Sequence, residues 1–180
     1  FPLSYWLPRA MEGPTPSSAI FYGALSIHAG VFLLIRTFDI WFNTPGFSWV
    51  VGTLGLTTVL SATLFGRVQA NIKGQIGYAS IAQVGIMLIE LACGFPKIAL
   101  AHMACNAFLR CFQLLVSPSI VAQQLQIHSA LFGEKIKPVQ ILHSRLRSTL
   151  YLFAINEAYL PGFFKFMLAR PILSLSQTTN

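Results

Sequence analysis

Four stretches, residues 17–36, 46–66, 72–93 and 98–121, are each apolar and long enough to cross a bilayer as a helix, which takes about 20 residues. Hydrocarbon offers a backbone no hydrogen-bond partner, so such segments fold as helices that satisfy their own amides. The predicted fold is therefore all-α: a polytopic transmembrane helix bundle of about four spans, with interfacial or amphipathic helices at the C-terminal end. Charged residues make up only 9% of the chain, against about 25% in soluble domains. The formal charge of +7 does not indicate nucleic-acid binding, because Arg9, Arg36, Arg67, Lys97, Lys135, Lys137, Arg145 and Arg147 sit mainly at segment ends. That is the pattern of membrane topology, not of a phosphate-tracking patch.

Local signals set the boundaries. Residues 1–15 read as a Pro-punctuated lead-in with Tyr5 and Trp6 as interfacial aromatics, and Pro16 suits a first helical turn. Residues 37–45 read as a short loop. Asn71 is placed to cap the third span, and Gly94 and Pro96 to stop it. The spans group as a transmembrane core over residues 1–121, followed by an amphipathic or interfacial segment over 122–180 that offers a docking surface. Within the latter, Gln123 to Lys137 is polar, and 148–175 is interrupted by Asn156, Glu157, Pro161, Lys165 and Arg170. An interfacial or protein-docked segment is expected there, with a tilted, broken crossing as the alternative. The basic excess at the end holding Arg9, Arg67 and the 135–147 cluster places that end in the cytoplasm. Cys93, Cys105 and Cys111 show no paired spacing and read as small packing residues. The chain begins at Phe1 and reads as a piece of something longer.

The fourth span carries His102, Asn106 and Arg110 at four-residue spacing, which puts them on one helical face. A cation at membrane depth costs at least roughly 2.5–3.5 kcal/mol, so Arg110 points to function, with snorkelling from a helix end as the plainer alternative. The third span adds Lys73 in its first turn, Gln83, and Glu90 in its last turn, while the first adds His28. Glu90 sits where the helix dipole disfavours an anion, so a partner is expected from Lys97 or from another helix. Histidine titrates near neutral pH, and a row of such groups linked by water suits lateral proton movement. Ser26, Gly30, Gly74, Gly77, Ser80 and Gly85 are candidates for close helix approach. No P-loop, dinucleotide fingerprint, HExxH or nucleophile–base pair is present, so no cofactor or metal is expected and energy coupling falls to an ion gradient or a partner.

WLPRAMEGPTPSSA from Trp6, IFYGALSIHAGVFLLIR, NIKGQIGYASIAQVGIM from Asn71 and HMACNAFLR from His102 together resemble the proton-conducting membrane subunits of respiratory complex I and Mrp-type antiporters. The resemblance covers about the first two-thirds of the chain. It implies that Lys73 links two half-channels and that His102 lies on the same polar axis. It also implies that Glu12, with Pro14 and Pro16, orders the lead-in. Arg9, Tyr22, His28, Asn71, Asn106 and Arg110 depart from the usual residues of complex I relatives. Those departures, with LYLFAINEAYLPGFF near the C-terminus, look like the inorganic carbon transporter subunit DabB. That narrower resemblance implies a large zinc-containing cytoplasmic DabA-type partner, a proton or Na+ gradient, capture of CO2 as bicarbonate, and a prokaryotic inner membrane. In the wider family a Glu–Lys pair precedes the point where this chain starts, and the usual further helices after the fourth span are not recognisable. A complex I or Mrp-type pump subunit is the alternative function, and a passive membrane anchor for a soluble partner is the third.

Overall fold

The structure, a computed structural model, describes residues 4, 6–117, 144–159, 162 and 166. The 123–137 segment, the 121/122 boundary and most of 160–175 lie outside the described residues. Among the described residues the α-helices are, in order, α1 (Trp6–Ala10), α2 (Thr15–Arg36), α3 (Phe38–Phe42), α4 (Phe47–Gly66), α5 (Ile72–Ala92), α6 (Pro96–Val116) and α7 (Ser144–Ile155). The described residues contain no strand, and α2, α4, α5 and α6 are long and apolar enough to span a membrane. They match the four expected crossings to within a few residues. Trp49, Phe108 and Ile40 are 80%, 79% and 76% exposed on the outside of the bundle, as lipid-facing side chains would be.

The ends follow from local chemistry. Asn71 caps α5 by accepting a hydrogen bond from the Gly74 N–H. After Ala92 the chain closes with the Gly94 N–H donating to Leu91 O and the Phe95 N–H to Glu90 O, both at 3.0 Å. Gly94 at φ +86° supplies the left-handed residue that this closure needs. Pro96 then opens α6, and Ser117 turns extended at ψ 135°. The residue before a proline, here Pro118, cannot easily stay helical. Pro16 falls in the first turn of α2, as anticipated.

Two expectations need correction. The 37–45 loop contains α3, because Phe38, Trp41 and Phe42 stack on one another and Trp41 Nε1 donates to Leu34 O at 2.9 Å. The lead-in likewise contains α1, held by the fully buried Leu7 and Met11. Cys93 and Cys105 are exposed on outer faces, and only Cys111 is partly buried, so internal packing is not the role of the first two.

Helix approach rests on particular small residues. A Cβ on Gly55 would lie 2.7 Å from Gly85 O, and one on Gly85 would lie 2.8 Å from Gly55 O, so α4 and α5 touch backbone to backbone. Gly77 accommodates Met11 Sδ, and Ser80 is fully buried, as expected. Gly74 lies instead against its own cap, Asn71. Gly30 has open space around it and Ser26 is exposed, which overturns their expected packing role. Gly23 does that work for α2, where a Cβ would come within 3.1 Å of Leu114 Cδ1 and 3.4 Å of the Cys111 nitrogen on α6. This contact falls where α2 widens into a π-helix over Ser18–Leu25, a local expansion frequent near functional sites.

Two apolar clusters form. One gathers Leu7, Met11, Phe65, Tyr78, Ile81 and Leu114, and the other Val31, Trp41, Met87, Leu91 and Ala99. On α2, α5 and α6 the polar side chains His28, Gln83, His102 and Asn106 lie in turns between those that feed the two clusters. The polar side chains thus form a layer between the two clusters, with His28 and Asn106 buried and Gln83, Glu90 and His102 partly exposed.

Gly55→Val is expected to destabilise the bundle by about 1–3 kcal/mol through overpacking against Gly85. Gly30→Ala should leave stability unchanged or slightly raised. Thermal unfolding of the detergent-solubilised protein checks both.

Candidate functional site

The α6 stripe does not act as one unit, because its members reach different helices. His102 turns towards α5: its Nδ1 lies 2.8 Å from Glu90 Oε1 and its Nε2 2.9 Å from Gln83 Oε1. Gln83 and Glu90 are seven residues apart, two helical turns, so they share a face and bracket the ring. A carboxylate only accepts, and so does an amide oxygen. With Glu90 ionised and Gln83 presenting its oxygen, both ring nitrogens donate and His102 is an imidazolium. Turned over, the Gln83 amide would donate instead to a neutral ring. Of the two partners expected for Glu90, the structure selects the other helix: Lys97 is exposed, while His102 faces α5. The second Glu90 oxygen is buried and has no hydrogen-bond partner.

One turn further along α6, Asn106 turns towards α2, where its Nδ2 lies 3.0 Å from His28 Nε2. His28 Nδ1 lies 2.8 Å from Ala24 O, one turn back on its own helix. Arg110 Nε donates to Asn106 Oδ1 at 3.3 Å and its Nη1 to Gln113 Oε1 at 2.6 Å. His28, Asn106 and Arg110 are 4%, 4% and 8% exposed, so the guanidinium is held inside rather than snorkelling. Among the described residues it makes no ion pair.

Lys73 is also buried, and its Nζ donates to Gly13 O at 3.1 Å in the EGPTP turn. The structure does not hydrogen-bond it to His102. Lys73 and Gln83 are ten residues apart on α5, about 15 Å along the axis, so the lysine and the histidine form two separate polar sites. Glu12 is exposed beside that turn, Pro14 precedes the first residue of α2 and Pro16 lies within its first turn. Tyr22 stacks edge-on against Trp6, with ring centroids 6.1 Å apart.

One constellation escapes sequence reading. Tyr78, fully buried on α5, donates its hydroxyl to Glu157 Oε1, and Glu157 Oε2 lies 3.7 Å from an Arg9 guanidinium nitrogen. Glu157, Ala158 and Tyr159 all take positive φ, a left-handed turn at the end of α7 that aims the carboxylate back at the bundle. Arg9, Glu157 and Tyr159 border a cleft of about 550 Å3 that is also lined by Glu12, Gln69 and Asn71. Glu157 has no periodic signal, and the LYLFAINEAYLPGFF stretch that contains it does not name its partner. Its partner lies 79 residues away in the chain. Among the described residues no three His, Cys, Asp or Glu side chains converge as a metal site.

Four crossing helices around ionisable and amide side chains define an integral membrane protein with a polar interior. The chain belongs to the family described as NADH:quinone oxidoreductase/Mrp antiporter, TM, which it matches over residues 1–176. It is 34% identical over 184 residues to NADH-ubiquinone oxidoreductase chain 5 of Petromyzon marinus, covering 99% of this chain and 30% of that protein. It is 36% identical over 121 residues to the chloroplastic NAD(P)H-quinone oxidoreductase subunit 5 of Piper cenocladum, covering 67% of this chain and 16% of that one. Against the subunit 5 of the Paulinella chromatophora chromatophore the figures are 35% over 121 residues, 67% and 18%. The chain thus spans less than a third of the length of these curated relatives.

A double-mutant cycle on Glu90→Gln and His102→Gln should return a coupling energy of about 1.5–3 kcal/mol, the range for hydrogen bonds to charged groups. Tyr78→Phe leaves the Glu157 carboxylate unpartnered at Oε1 and is expected to make α7 more susceptible to limited proteolysis while α2, α4, α5 and α6 stay protected.

Proposed function

We propose that this chain is part of the proton-conducting membrane portion of a complex I L-type subunit. The observation that carries this reading is His102 held between Glu90 and Gln83 inside the bundle. There a proton has a titrating ring to sit on, a carboxylate to balance it and an amide able to serve either ring state. Glu90 steadies the charged ring, Gln83 orients it, and Lys73 is the lysine that links half-channels in the family resemblance. Transfer across the gap of about 15 Å between Lys73 and the His102 cluster would run through water along the α5 face, past the buried Ser80. Protons suit a histidine-centred site better than Na+, which wants several oxygen ligands. Family membership and the names of the quinone oxidoreductase relatives support this reading. Under it the chain is a membrane subunit of an enzyme complex whose redox chemistry sits in other subunits, and it binds no redox cofactor itself.

The inorganic carbon reading, with a DabA-type zinc-containing partner and a prokaryotic inner membrane, is the second choice. It is favoured by the three departures His28, Asn106 and Arg110, which form one hydrogen-bonded set. One relative being chloroplastic takes away any general ground for a prokaryotic membrane. Co-purification separates the readings: quinone-reducing subunits support the first, and a large zinc protein that binds CO2 or bicarbonate supports the second.

In the complete protein, reconstituted in liposomes with a pH-sensitive dye, Lys73→Ala and His102→Ala should each slow gradient-driven proton movement at least tenfold, or about 1.4 kcal/mol in barrier. Assembly should persist in both. Unchanged rates in both variants would sink the path.

A further inference from the structure

We infer that Arg110 is a positioning residue that fixes the Asn106 amide and thereby holds His28 as its neutral Nδ1–H tautomer, closing this branch of the polar axis to protons. The argument is a count of donors and acceptors. A guanidinium has N–H groups and no acceptor, so the end of Asn106 that faces Arg110 Nε at 3.3 Å is the oxygen. The other end, the NH2, then faces His28 Nε2 at 3.0 Å and donates to it. That nitrogen must carry a lone pair and no proton. On the far side of the ring, Ala24 O accepts at 2.8 Å, so Nδ1 carries the hydrogen. Both ring nitrogens are thereby assigned, and the ring is neutral.

Neither terminus of this set can reverse. Arg110 cannot accept and Ala24 O cannot donate, so turning over the Asn106 amide would set N–H against N–H at Arg110 Nε. Gln113 anchors the guanidinium from the other side at 2.6 Å. Of the other charged groups on α5 and α6, Glu90 is engaged with His102 and Lys73 with Gly13 O, and Lys97 is exposed. His102 itself lies one turn from Asn106 on α6 and bonds to α5 rather than to α2. The His102 site differs in kind, because among the described residues the one hydrogen bond of the Gln83 side chain is to the ring, and no second partner fixes which end of its amide faces His102.

That a proton moves at His102 rests on the function proposed above, but the His28 assignment does not. The test is nitrogen-15 NMR of the full-length protein in nanodiscs at pH 7, with labelled histidine and His28 identified by its loss in His28→Gln. The expected wild-type pattern is one protonated Nδ1 and one bare Nε2. Asn106→Asp, which puts an acceptor opposite Nε2, should convert His28 to the doubly protonated form. Arg110→Met should give a mixture of ring states, and Arg110→Lys, still a pure donor, should restore the single tautomer. A wild-type His28 that is doubly protonated or bears its hydrogen on Nε2 overturns the inference, as does an unchanged single tautomer in Arg110→Met. The wild-type spectrum decides even if a variant fails to fold. The expected tautomers in a protein that moves no protons would refute only the transport reading.

Discussion

Burial of polar side chains between apolar helices is the constraint on which the rest of the structure depends. A polar group buried without a partner costs about 1–3 kcal/mol and a charged one more, so each ionisable side chain must find its partner inside the bundle. Lys73 takes a backbone carbonyl, His102 a carboxylate and an amide, His28 a carbonyl and an amide, and Arg110 two amides. These choices bring the helices close at particular turns. The glycines at positions 23, 55 and 85 make that approach sterically possible. Apolar packing flanks the polar side chains, with one cluster on each side of their layer.

Much of this was legible in the chain. The spans are written in apolar length, the α5 start in Asn71 and its end in Gly94 and Pro96, and the α6 stripe in its four-residue spacing. The spacing puts His102, Asn106 and Arg110 on one face but does not say which neighbour each residue meets. One turn of helix is enough to hand His102 to α5 and Asn106 to α2. The same ambiguity explains the glycines. Ser26 and Gly30 look as suitable as Gly23, but the phase of a helix against its neighbour is a tertiary property, and it is Gly23 that faces α6. The α3 helix was hidden because five residues are too few for a periodic signal, and its stability comes from aromatic stacking with residues beyond it. Glu157 was hidden because nothing local distinguishes a carboxylate that reaches back to a tyrosine on α5.

The Tyr78–Glu157 contact changes the meaning of the C-terminal region. The end of α7 is tied to the bundle by a hydroxyl–carboxylate bond to a fully buried tyrosine. Arg9, from α1, approaches the same carboxylate at 3.7 Å, so the lead-in and the end of α7 meet over the α4–α5 turn. Because that guanidinium is well exposed, solvent screens the ion pair and the pair adds little to stability. Its weight lies in placing two chain segments around one polar cleft.

A line of polar side chains is not by itself a proton wire. Conduction needs every member to accept from one side and donate to the other, then reset by reversing its dipole. The His28–Asn106–Arg110 set fails that requirement because it begins on a pure donor and ends on a pure acceptor. The His102 set does not begin and end on such groups: an imidazole can donate or accept at either nitrogen, and the Gln83 amide offers an oxygen or an N–H. Two clusters that look alike in composition therefore divide by the identity of their terminal groups. The Arg110 cation lies two turns from His102 on the same helix, beside Gln75, Ile76 and Ala79 and so towards the Lys73 end of α5, where it opposes the advance of positive charge. On the proposed reading, a proton leaving His102 passes either to Glu90, two turns from Gln83 in one direction along α5, or towards Lys73, about 15 Å from Gln83 in the other.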